Sequence, residues 1–391
     1  MKILYTGLFR FPTFDAAAAR VLNVARALRL AGHEVSFISW GGKQRECDLC
    51  PDGKYRYDGS EYVVTDELDP KGNILQKVIC KLQRGNKTEQ LLEERIGNFD
   101  AVITYNGSLT RWLLRFAKKH QVKLINDITE WYDYNELKVT DWLPYAYNMH
   151  CTQKRVKNKI VISKFLDDYY NTTHNIVVPA TCDASEAKWQ QGASKAKEKA
   201  GEFDGITLIY AGNPARKDAV HYAINAVQRL IDEGENVRFL IVGAERERYL
   251  KKYSDLLSKK ELSGRIHFLG RVPQDEVPSY YALADFMVLL REPTRKSNAG
   301  FPTKFSESFT SGTPVIANIT SDLGNYLKDG ETGFIVPEPS EEAIYNILKV
   351  KVLSLTKLEI EKMKSNVRET AKQLDYHAYV EPLRNFIANL K

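Results

Sequence analysis

One loop of this chain combines a glycine with two cations, which suits it to binding an anion such as a diphosphate. The loop follows Ile206–Ala211, an apolar run typical of a buried strand, and it contains Gly212, Arg216 and Lys217. Glycine lets the backbone approach a ligand closely, and a helix predicted to begin at Ala219 would add the free N–H groups of its first turn. The loop therefore predicts a phosphate site. A plain strand-to-helix turn with exposed basic side chains is the alternative that this segment alone leaves open.

A second loop leads into a short helix with similar chemistry. The segment 300–302 precedes a helix predicted to begin near Thr303, and Lys304 lies in its first turn, so this helix start is also suited to an anion. Glu307 lies one turn further on, where a carboxylate can accept hydrogen bonds from two vicinal hydroxyls, as on a ribose. Gly312 is expected to end the helix. A strand–helix corner with a surface lysine and glutamate is the alternative.

The elements around these loops predict an α/β fold with parallel sheets. Strand and helix patterns alternate regularly in the second half of the chain, and residues 2–40 read as strand, helix and strand, which is a βαβ unit. The strands predicted in the first half are 2–7, 34–40, 62–64, Ala101–Tyr105, 123–126, 159–162 and 176–178. Those predicted in the second half are Ile206–Ala211, 238–242, 266–269, 286–290, 314–317 and 333–336. A polar stretch over 184–204 separates the two series, so we expect two doubly wound domains in tandem.

Composition excludes several classes of protein. The 391 residues include 56 Lys and Arg against 50 Asp and Glu, a net charge of +6 that is too mild to indicate nucleic-acid binding. We expect no membrane span, because no apolar run approaches about 18 residues, and no signal peptide. Five cysteines fit reduced thiols in the cytoplasm, and the Cys47–Cys50 pair has half of a zinc-ribbon spacing without a second pair. No metal site is predicted.

The second loop and its strand resemble the donor-nucleotide signature of GT-B glycosyltransferases, in particular the retaining family 4, the group 1 glycosyltransferases. The shared pattern over 300–317 is a glycine–phenylalanine loop, a glutamate one turn into the helix and a G-x-P-V-I strand. The resemblance extends to Gly32-His33-Glu34-Val35, to Ile241-Val242-Gly243 and to the segment 266–272. It implies two Rossmann-like domains that face each other across a cleft. Residues 1–178, with a C-terminal helix over 372–391 packed back on them, would bind the acceptor, and residues 179–371 would bind the donor.

The resemblance also implies an activity and its residues. The enzyme would be a hexosyltransferase that moves a sugar from a nucleotide sugar to an acceptor hydroxyl with retention of configuration. The catalytic candidates are Lys217, Lys304, Glu130 and Asp127, of which the last two are the weaker. The donor-binding candidates are Gly212, Asn213, Arg216, Lys217, Gly243, Arg271, Val272, Gly300, Phe301, Pro302, Thr303, Lys304 and Glu307.

Three positions depart from the family pattern. Ala299 stands where members usually have a first glutamate, Asn213 where many have an arginine, and Thr129 where the N-terminal domain usually has a histidine. Groups expected near the transferred sugar are therefore missing. A sugar-nucleotide 2-epimerase on the same fold and a catalytically inactive nucleotide-sugar-binding subunit remain alternatives.

No D-x-D triplet occurs in the sequence, which argues for lysine, arginine and helix N-termini in place of a metal at the diphosphate. No cofactor is expected beyond the nucleotide sugar, and no nucleic acid as a partner.

The acceptor and the place of the reaction are predicted from charge and resemblance. Residues 1–180 hold 26 Lys and Arg against 21 Asp and Glu, so most of the surplus lies in the half expected to bind the acceptor. A basic, amphipathic segment over 111–119 could rest on an anionic membrane, or its apolar residues could be core and its basic ones a solvated face. We expect a saccharide or lipid-linked saccharide acceptor in bacterial capsule or O-antigen synthesis. The enzyme would be cytoplasmic, with peripheral binding at the inner face of the plasma membrane as one alternative.

Overall fold

The computed structural model of the chain describes residues 1–12, 15–68, 73, 83–214, 218–259 and 261–391. It forms two compact units. The N-terminal unit comprises Met1–Thr181 and Tyr376–Lys391, and the C-terminal unit comprises Cys182–Asp375. Both are α/β units built on a mainly parallel sheet, as the alternation of elements predicts.

The N-terminal unit contains a sheet in the order β3-β4-β2-β1-β5-β6-β7-β8, in which only the β3–β4 pair is antiparallel among the described residues. Its strands are β1 (Lys2–Phe11), β2 (Glu34–Gly42), β3 (Arg56–Tyr57), β4 (Ser60–Val64), β5 (Ala101–Tyr105), β6 (Lys123–Ile128), β7 (Asn158–Val161) and β8 (His174–Val177). Its helices are α1 (Ala16–Leu30), α2 (Asn86–Glu94), α3 (Thr110–His120), α4 (Val139–Tyr147) and α5 (Lys164–Tyr170), and the C-terminal segment adds the last helix, Val380–Ala388.

Local sequence explains the first crossover. Asp15 caps α1 by accepting a hydrogen bond from the N–H of Ala18 at 2.9 Å. Val21, Ala25 and Leu28 share one face of α1 and are buried in the core against β1 and β2. The last helix packs on the same core through Leu383, whose side chain is fully buried, so the two ends of the chain stabilise one unit together.

The C-terminal unit contains a parallel sheet in the order β11-β10-β9-β12-β13-β14. Its strands are β9 (Ile206–Ala211), β10 (Val237–Val242), β11 (Ile266–Phe268), β12 (Phe286–Leu289), β13 (Val315–Ala317) and β14 (Gly333–Ile335). Its helices are α6 (Ser194–Ala200), α7 (Val220–Asp232), α8 (Arg246–Tyr253), α9 (Val277–Leu283), α10 (Arg295–Ala299), α11 (Thr303–Thr310), α12 (Glu341–Asn346) and α13 (Lys357–Ala371); the last helix of the N-terminal unit is α14.

Each sheet has one point at which the strand order reverses. In the N-terminal unit this point lies between β1 and β5, and in the C-terminal unit it lies between β9 and β12. Open parallel sheets bind ligands at the carboxyl ends of the strands at such a point, because the crossovers leave in opposite directions and open a crevice. The two reversal points are therefore the places where the fold itself predicts a site.

No helix in the described part of the chain is long and apolar enough to cross a membrane.

Candidate functional site

Backbone geometry and close packing at the ends of β9 and β10 both require glycine. Gly212 follows β9 with φ +137°, and Gly243 follows β10 with φ +105°, conformations that L side chains rarely adopt. The two glycines lie close together: a Cβ on Gly243 would stand 2.5 Å from the carbonyl oxygen of Gly212. The N–H of Gly212 is bound to the carbonyl of Val242 at 2.8 Å, which fixes the loop to the neighbouring strand.

Lys304 lies directly over Gly212. A Cβ on Gly212 would stand 2.3 Å from Cε of Lys304 and 3.1 Å from its Nζ, so the lysine fills the space that the glycine leaves. Lys304 is in the first turn of α11, which begins after the extended residue Pro302. The first N–H groups of a helix lack carbonyl partners inside it, and they carry the positive end of the helix dipole. The structure thus brings two sequence-predicted residues, Gly212 and Lys304, into contact beside a helix start.

A buried carboxylate holds this lysine in place. Asp218, at 2% exposure, accepts a hydrogen bond from Lys304 Nζ at 2.9 Å and one from the hydroxyl of Tyr210 at 2.6 Å. Arg291 Nε lies 3.6 Å from the same carboxylate. Burial alone would raise the pKa of Asp218, but Lys304, Tyr210 and Arg291 together hold that pKa below its ordinary value. This carboxylate therefore favours its charged form between the two cations, and its hydrogen bond holds Lys304 at the reversal point.

Arg291 and Asp218 were not among the sequence-predicted site residues. Arg291 comes directly after the buried run of β12, and it is itself buried, which lowers the pKa of its guanidinium. Its backbone is held by Asn318, whose side chain bonds both the N–H and the carbonyl of Arg291 at 2.8 Å. A charged residue at the carboxyl end of an apolar strand next to β9 is the signal that could have identified it.

Glu307 lies on α11 one turn after Lys304. Burial raises the pKa of its carboxyl, while Lys304 and Lys188 oppose that rise. The hydroxyl of Tyr281 faces the same carboxylate and also acts to lower its pKa. This position is compatible with the sequence prediction that Glu307 binds the ribose. That role stays a prediction.

The other donor-binding candidates divide by position. Phe301 is buried in an aromatic cluster, with ring centroids 5.9 Å from Phe305 and 5.8 Å from Tyr326, so its side chain packs in the core. Gly300 ends α10 and is extended, and Asn213 is exposed and accepts a hydrogen bond from the hydroxyl of Tyr210 through its carbonyl at 3.0 Å. The remaining candidates in the described chain, at half-buried or exposed positions, are Pro302, Thr303, Arg271 and Val272. Arg216 and Lys217 lie outside the described residues.

In the N-terminal unit, the structure corrects the expectation for Asp127. This carboxylate, at the end of β6, is fully buried and forms an ion pair with Arg20 at 2.7 Å. The hydroxyl of Tyr5 donates a short hydrogen bond to it. Arg20 also donates to the backbone carbonyl of Val178 at 2.8 Å. Asp127 therefore ties α1, β1 and β6 together and is closed to a substrate.

A large cavity lies at the reversal point of the N-terminal sheet. Its volume is about 1080 Å³, and its lining comes from the ends of β1 and β5 and from the segments that follow β5 and β6. Glu130, a weaker catalytic candidate, lines it. Thr129, beside it, is buried, and its hydroxyl lies within hydrogen-bonding distance of Asn106 Oδ1 at 3.0 Å and of the Tyr105 hydroxyl at 3.1 Å. The threonine thus braces the cavity wall where the family usually has a histidine.

The basic segment 111–119 forms most of α3. Leu113 and Phe116 are buried in a core cluster, and Trp112 stacks on Phe116 with ring centroids 4.8 Å apart. Its apolar residues are thus core residues, which was one of the two alternatives.

Within the described residues, no group of three or more His, Cys, Asp or Glu side chains is placed to hold a metal ion.

The chain is thus a two-unit α/β protein, with two cations beside Asp218 at one reversal point and a cavity at the other. Residues 193–373, slightly less than half of the chain, match the family described as glycosyl transferases, group 1. Among curated proteins, the chain is similar to the alpha-D-kanosaminyltransferase of Streptomyces kanamyceticus, with 25% identity over 164 residues. It is also similar to the lipopolysaccharide 1,2-N-acetylglucosaminetransferase of Salmonella typhimurium, with 24% identity over 184 residues. These matches cover 42% and 45% of this chain, and 41% and 45% of those relatives.

Solved structures match over the full length. Sucrose-phosphate synthase from Thermosynechococcus elongatus superposes with a TM-score of 0.77 at 15% identity, covering 100% of this chain and 98% of that one. HepE of Anabaena, solved in complex with UDP-glucose, gives a TM-score of 0.71 at 14% identity and covers 100% of both chains. The region 193–373 belongs to the group 1 glycosyl transferases, and the chain has the GT-B fold of these structures. The chain spans less than half the length of the curated relatives it matches.

Proposed function

We propose that the protein is a retaining glycosyltransferase that moves a sugar, a hexose by the resemblance, from a nucleotide-sugar donor to an acceptor hydroxyl. The observation that carries this proposal is the anion site of the C-terminal unit. There Lys304 lies over Gly212 at the start of α11, and Asp218 orients it together with Arg291. Family membership of residues 193–373 and the UDP-glucose complex of HepE support a nucleotide sugar as the ligand.

The chemistry follows from where charge develops. As the bond between the sugar and the diphosphate breaks, negative charge builds up on the leaving diphosphate. Preorganised cations and helix N–H groups stabilise such charge without needing to reorganise, which is a large catalytic term. Lys304 and the N-terminus of α11 would supply it, and Arg216 and Lys217 are predicted from the sequence alone to add to it. Glu307 would hold the ribose.

The acceptor is assigned to the cavity of the N-terminal unit. Its volume of about 1080 Å³ is at the upper end of ordinary ligand sites. Tyr105, Tyr132 and Tyr145 line it, and aromatic rings with polar tips suit the faces of sugars. Glu130 is the carboxylate that we propose to contact the acceptor hydroxyl or the reacting sugar.

The relatives suggest a biological setting. Two of them are named for lipopolysaccharide and colanic acid synthesis, namely the Salmonella N-acetylglucosaminetransferase and the putative glycosyltransferase WcaL of the same organism. We therefore propose a role in bacterial surface-polysaccharide synthesis, with a saccharide or lipid-linked saccharide as acceptor.

A thermal-shift screen of nucleoside diphosphates and their sugars tests the donor assignment. A ligand that binds the folded state raises the melting temperature, so one base should stand out in the screen. The shift should be lost in Lys304→Ala and kept in Lys362→Ala, a matched control on an exposed lysine of α13 in the same unit. Shifts that are equal in the two variants would contradict the assignment.

Turnover then separates the alternatives. The proposed transferase requires an acceptor for sugar transfer and releases a nucleoside diphosphate. Conversion of the nucleotide sugar to its epimer with no acceptor present would instead identify a 2-epimerase. Nucleotide binding without turnover in any acceptor pool would identify an inactive binding subunit, for which Ala299, buried at the end of α10, is the motive.

A further inference from the structure

The cavity of the N-terminal unit is lined by three arginines that have no acidic partner. Arg84, Arg111 and Arg115 line it, and none of them forms an ion pair with a carboxylate of the described chain. The Nε atom of Arg84 is buried and has no hydrogen-bond partner among these residues. Elsewhere in the unit, Arg20 and Arg95 each pair with a carboxylate, at 2.7 and 3.2 Å. A buried donor without a partner is costly, so the Nε atom of Arg84 is a group that a ligand could satisfy.

The position of two of these arginines on α3 is electrostatically unfavourable in the empty protein. Arg111 is in the first turn, where α3 has no acidic residue, so a cation lies at the positive end of the helix dipole. Arg115 follows four residues later on the same face, and like charges at this spacing destabilise a helix. A bound anion would reverse both effects, because it would face two guanidinium groups and a helix start at once.

Arg84 approaches the same helix start from another segment. Gly85, its neighbour, lies against Leu109, the residue that precedes α3: a Cβ on Gly85 would stand 2.4 Å from Leu109 Cδ2. Gly85 has φ +101°, so the close approach depends on glycine. The chain thus brings a third guanidinium from residue 84 to the N-terminus of α3, 25 residues or more away in sequence.

The rest of the lining suits a ligand larger than a single inorganic anion. Trp40, Tyr105, Trp112 and Met149 line the same cavity. An inorganic phosphate would occupy a small fraction of about 1080 Å³ and would leave these aromatic and apolar surfaces uncovered. Glu130 and Asp141 also line the cavity. These two carboxylates come from the segments after β6, whereas the arginines come from segments before β6.

We propose that the acceptor carries a phosphate group, and that Arg84, Arg111 and Arg115 bind this phosphate. The proposal rests on the proposed function, because it names the class of acceptor: an organic phosphate, either a lipid phosphate that bears a saccharide or a phosphorylated sugar. Guanidinium groups form charge-assisted, often bidentate hydrogen bonds with phosphate oxygens, so three of them give both affinity and orientation.

Binding of two matched pairs of probes tests the proposal by isothermal titration on the full chain. Geranyl phosphate is compared with geraniol, and glucose 1-phosphate with glucose. We expect at least one phosphorylated probe to bind about 10-fold or more tightly than its uncharged counterpart, as expected for charge-assisted hydrogen bonds. Preference for geranyl phosphate would identify a lipid phosphate, and preference for glucose 1-phosphate a sugar phosphate; both support the proposal.

Variants locate the bound phosphate. The double variant Arg111→Ala with Arg115→Ala should lose this preference, whereas Lys118→Ala should retain it. Lys118 is a matched control, because it is an exposed cation on the same helix but does not line the cavity. Arg111 and Arg115 are exposed, so their removal leaves the core intact, and the melting temperature of each variant without ligand verifies this.

Three results would overturn the proposal. One is equal binding of charged and uncharged probes. Another is an equal loss in Lys118→Ala and in the double variant, which would show a general effect of charge. The third is a loss in Lys304→Ala but not in the double variant, because the phosphate would then occupy the donor site. That last result would contradict the phosphate site but not the proposed transferase. Absence of nucleotide binding in the donor screen would contradict the transferase but not the phosphate site.

Discussion

Both sheets reverse their strand order between two adjacent parallel strands, β1 and β5 in one unit and β9 and β12 in the other, yet the side chains at these points differ in kind. In the C-terminal unit, one buried carboxylate, Asp218, forms ion pairs with both Lys304 and Arg291, at 2.9 and 3.6 Å. In the N-terminal unit, the arginines at the cavity have no such partner within the described chain. The same topology therefore carries a preorganised cation site and an uncompensated one.

Under the proposed function, this difference reflects the two ligands of the enzyme. A diphosphate has one geometry whatever the sugar, so fixed cations suit it, and their orientation can be encoded in the strand ends. An acceptor varies between enzymes of one fold, so the side chains that bind it lie on helices and loops of a roomy cavity. The predictions below test each side of this comparison.

The largest effect is expected at the fixed cations. Lys304→Ala should lower kcat/KM about 10²-fold or more, the scale of a lost group that stabilises developing charge. Lys217→Ala is predicted from the sequence to have an effect of similar size. Turnover of the nucleotide sugar found in the screen measures both, with Lys362→Ala as the control. Unchanged turnover in either variant would remove that lysine from the site.

The carboxylate between the cations should matter for stability as well as for orientation. Asp218→Asn keeps the size of the side chain but leaves Lys304 and Arg291 without their counterion. Removing one partner from a buried ion pair destabilises a protein by about 3 kcal/mol or more, so urea unfolding should show a loss of this size. Because the side chain of Lys304 is 19% exposed, we expect the loss of unfolding free energy to lie at the lower end of this range.

The pH dependence of this loss has a definite sign. The pKa of Asp218 is lowered in the folded protein, so its contribution is present above about pH 4, the ordinary value for aspartate, and is lost as the pH falls through the folded-state pKa. The variant and the unmodified protein should therefore differ most near neutral pH and converge in acid. A difference that stays constant down to acid pH would contradict the assignment of the charge.

A buried cation that has no carboxylate partner among the described residues distinguishes the core of the N-terminal unit. Lys159 on β7 is fully buried, and burial lowers its pKa to about 7. Its ammonium donates to the carbonyl of Val156 and lies 5.1 Å from the centroid of the Tyr170 ring. An uncompensated charge at this position opposes folding whenever the lysine is protonated.

Replacement of this lysine should stabilise the protein in a pH-dependent way. Because the folded-state pKa is depressed, the unfolded chain binds more protons between about pH 7 and 10.5, so the unmodified protein gains stability as the pH rises through that window. Lys159→Met should therefore be more stable near pH 7, by about 1 kcal/mol or more, and the gain should shrink toward pH 10. Thermal melts across the window measure it, and a gain independent of pH would show that packing, not charge, is responsible.

The sequence predicted more of the fold than of the site, for identifiable reasons. The strand over Ala101–Tyr105 and the helix from Thr303 follow from local patterns of apolar residues and from the proline before the helix. The predicted strand over 2–7 extends to Phe11, because Arg10 and Phe11 continue the pairing with β2 after an irregularity in register. Local pattern cannot show such tertiary pairing.

Site residues were predicted where a motif is local and missed where partners are distant. Lys304 and Gly212 were predicted because each lies in or next to a short recognisable loop, and the structure places them in contact. Asp127 was assigned wrongly, because its partner Arg20 lies 107 residues away and nothing local shows that the carboxylate turns into the core. Arg291 was missed for the same reason, since its role depends on β12 lying beside β9.

The smallest effect is expected on removal of metal ions. In the C-terminal unit, Lys304, Arg291 and the first turn of α11 supply the positive charge that a diphosphate needs, and the sequence contains no D-x-D triplet to hold a cation there. Sugar transfer should therefore persist in excess EDTA, with a change in kcat of less than about twofold, well below the 10²-fold effect of a lost charge-stabilising group. The measurement is the rate of nucleoside diphosphate release after dialysis against EDTA, with Mg²⁺ and Mn²⁺ added back in parallel samples. A strict requirement for either ion would show that Lys304, Arg291 and the first turn of α11 are insufficient on their own. The proposed donor site would then not be preorganised by protein cations alone, and its contrast with the N-terminal cavity would fail.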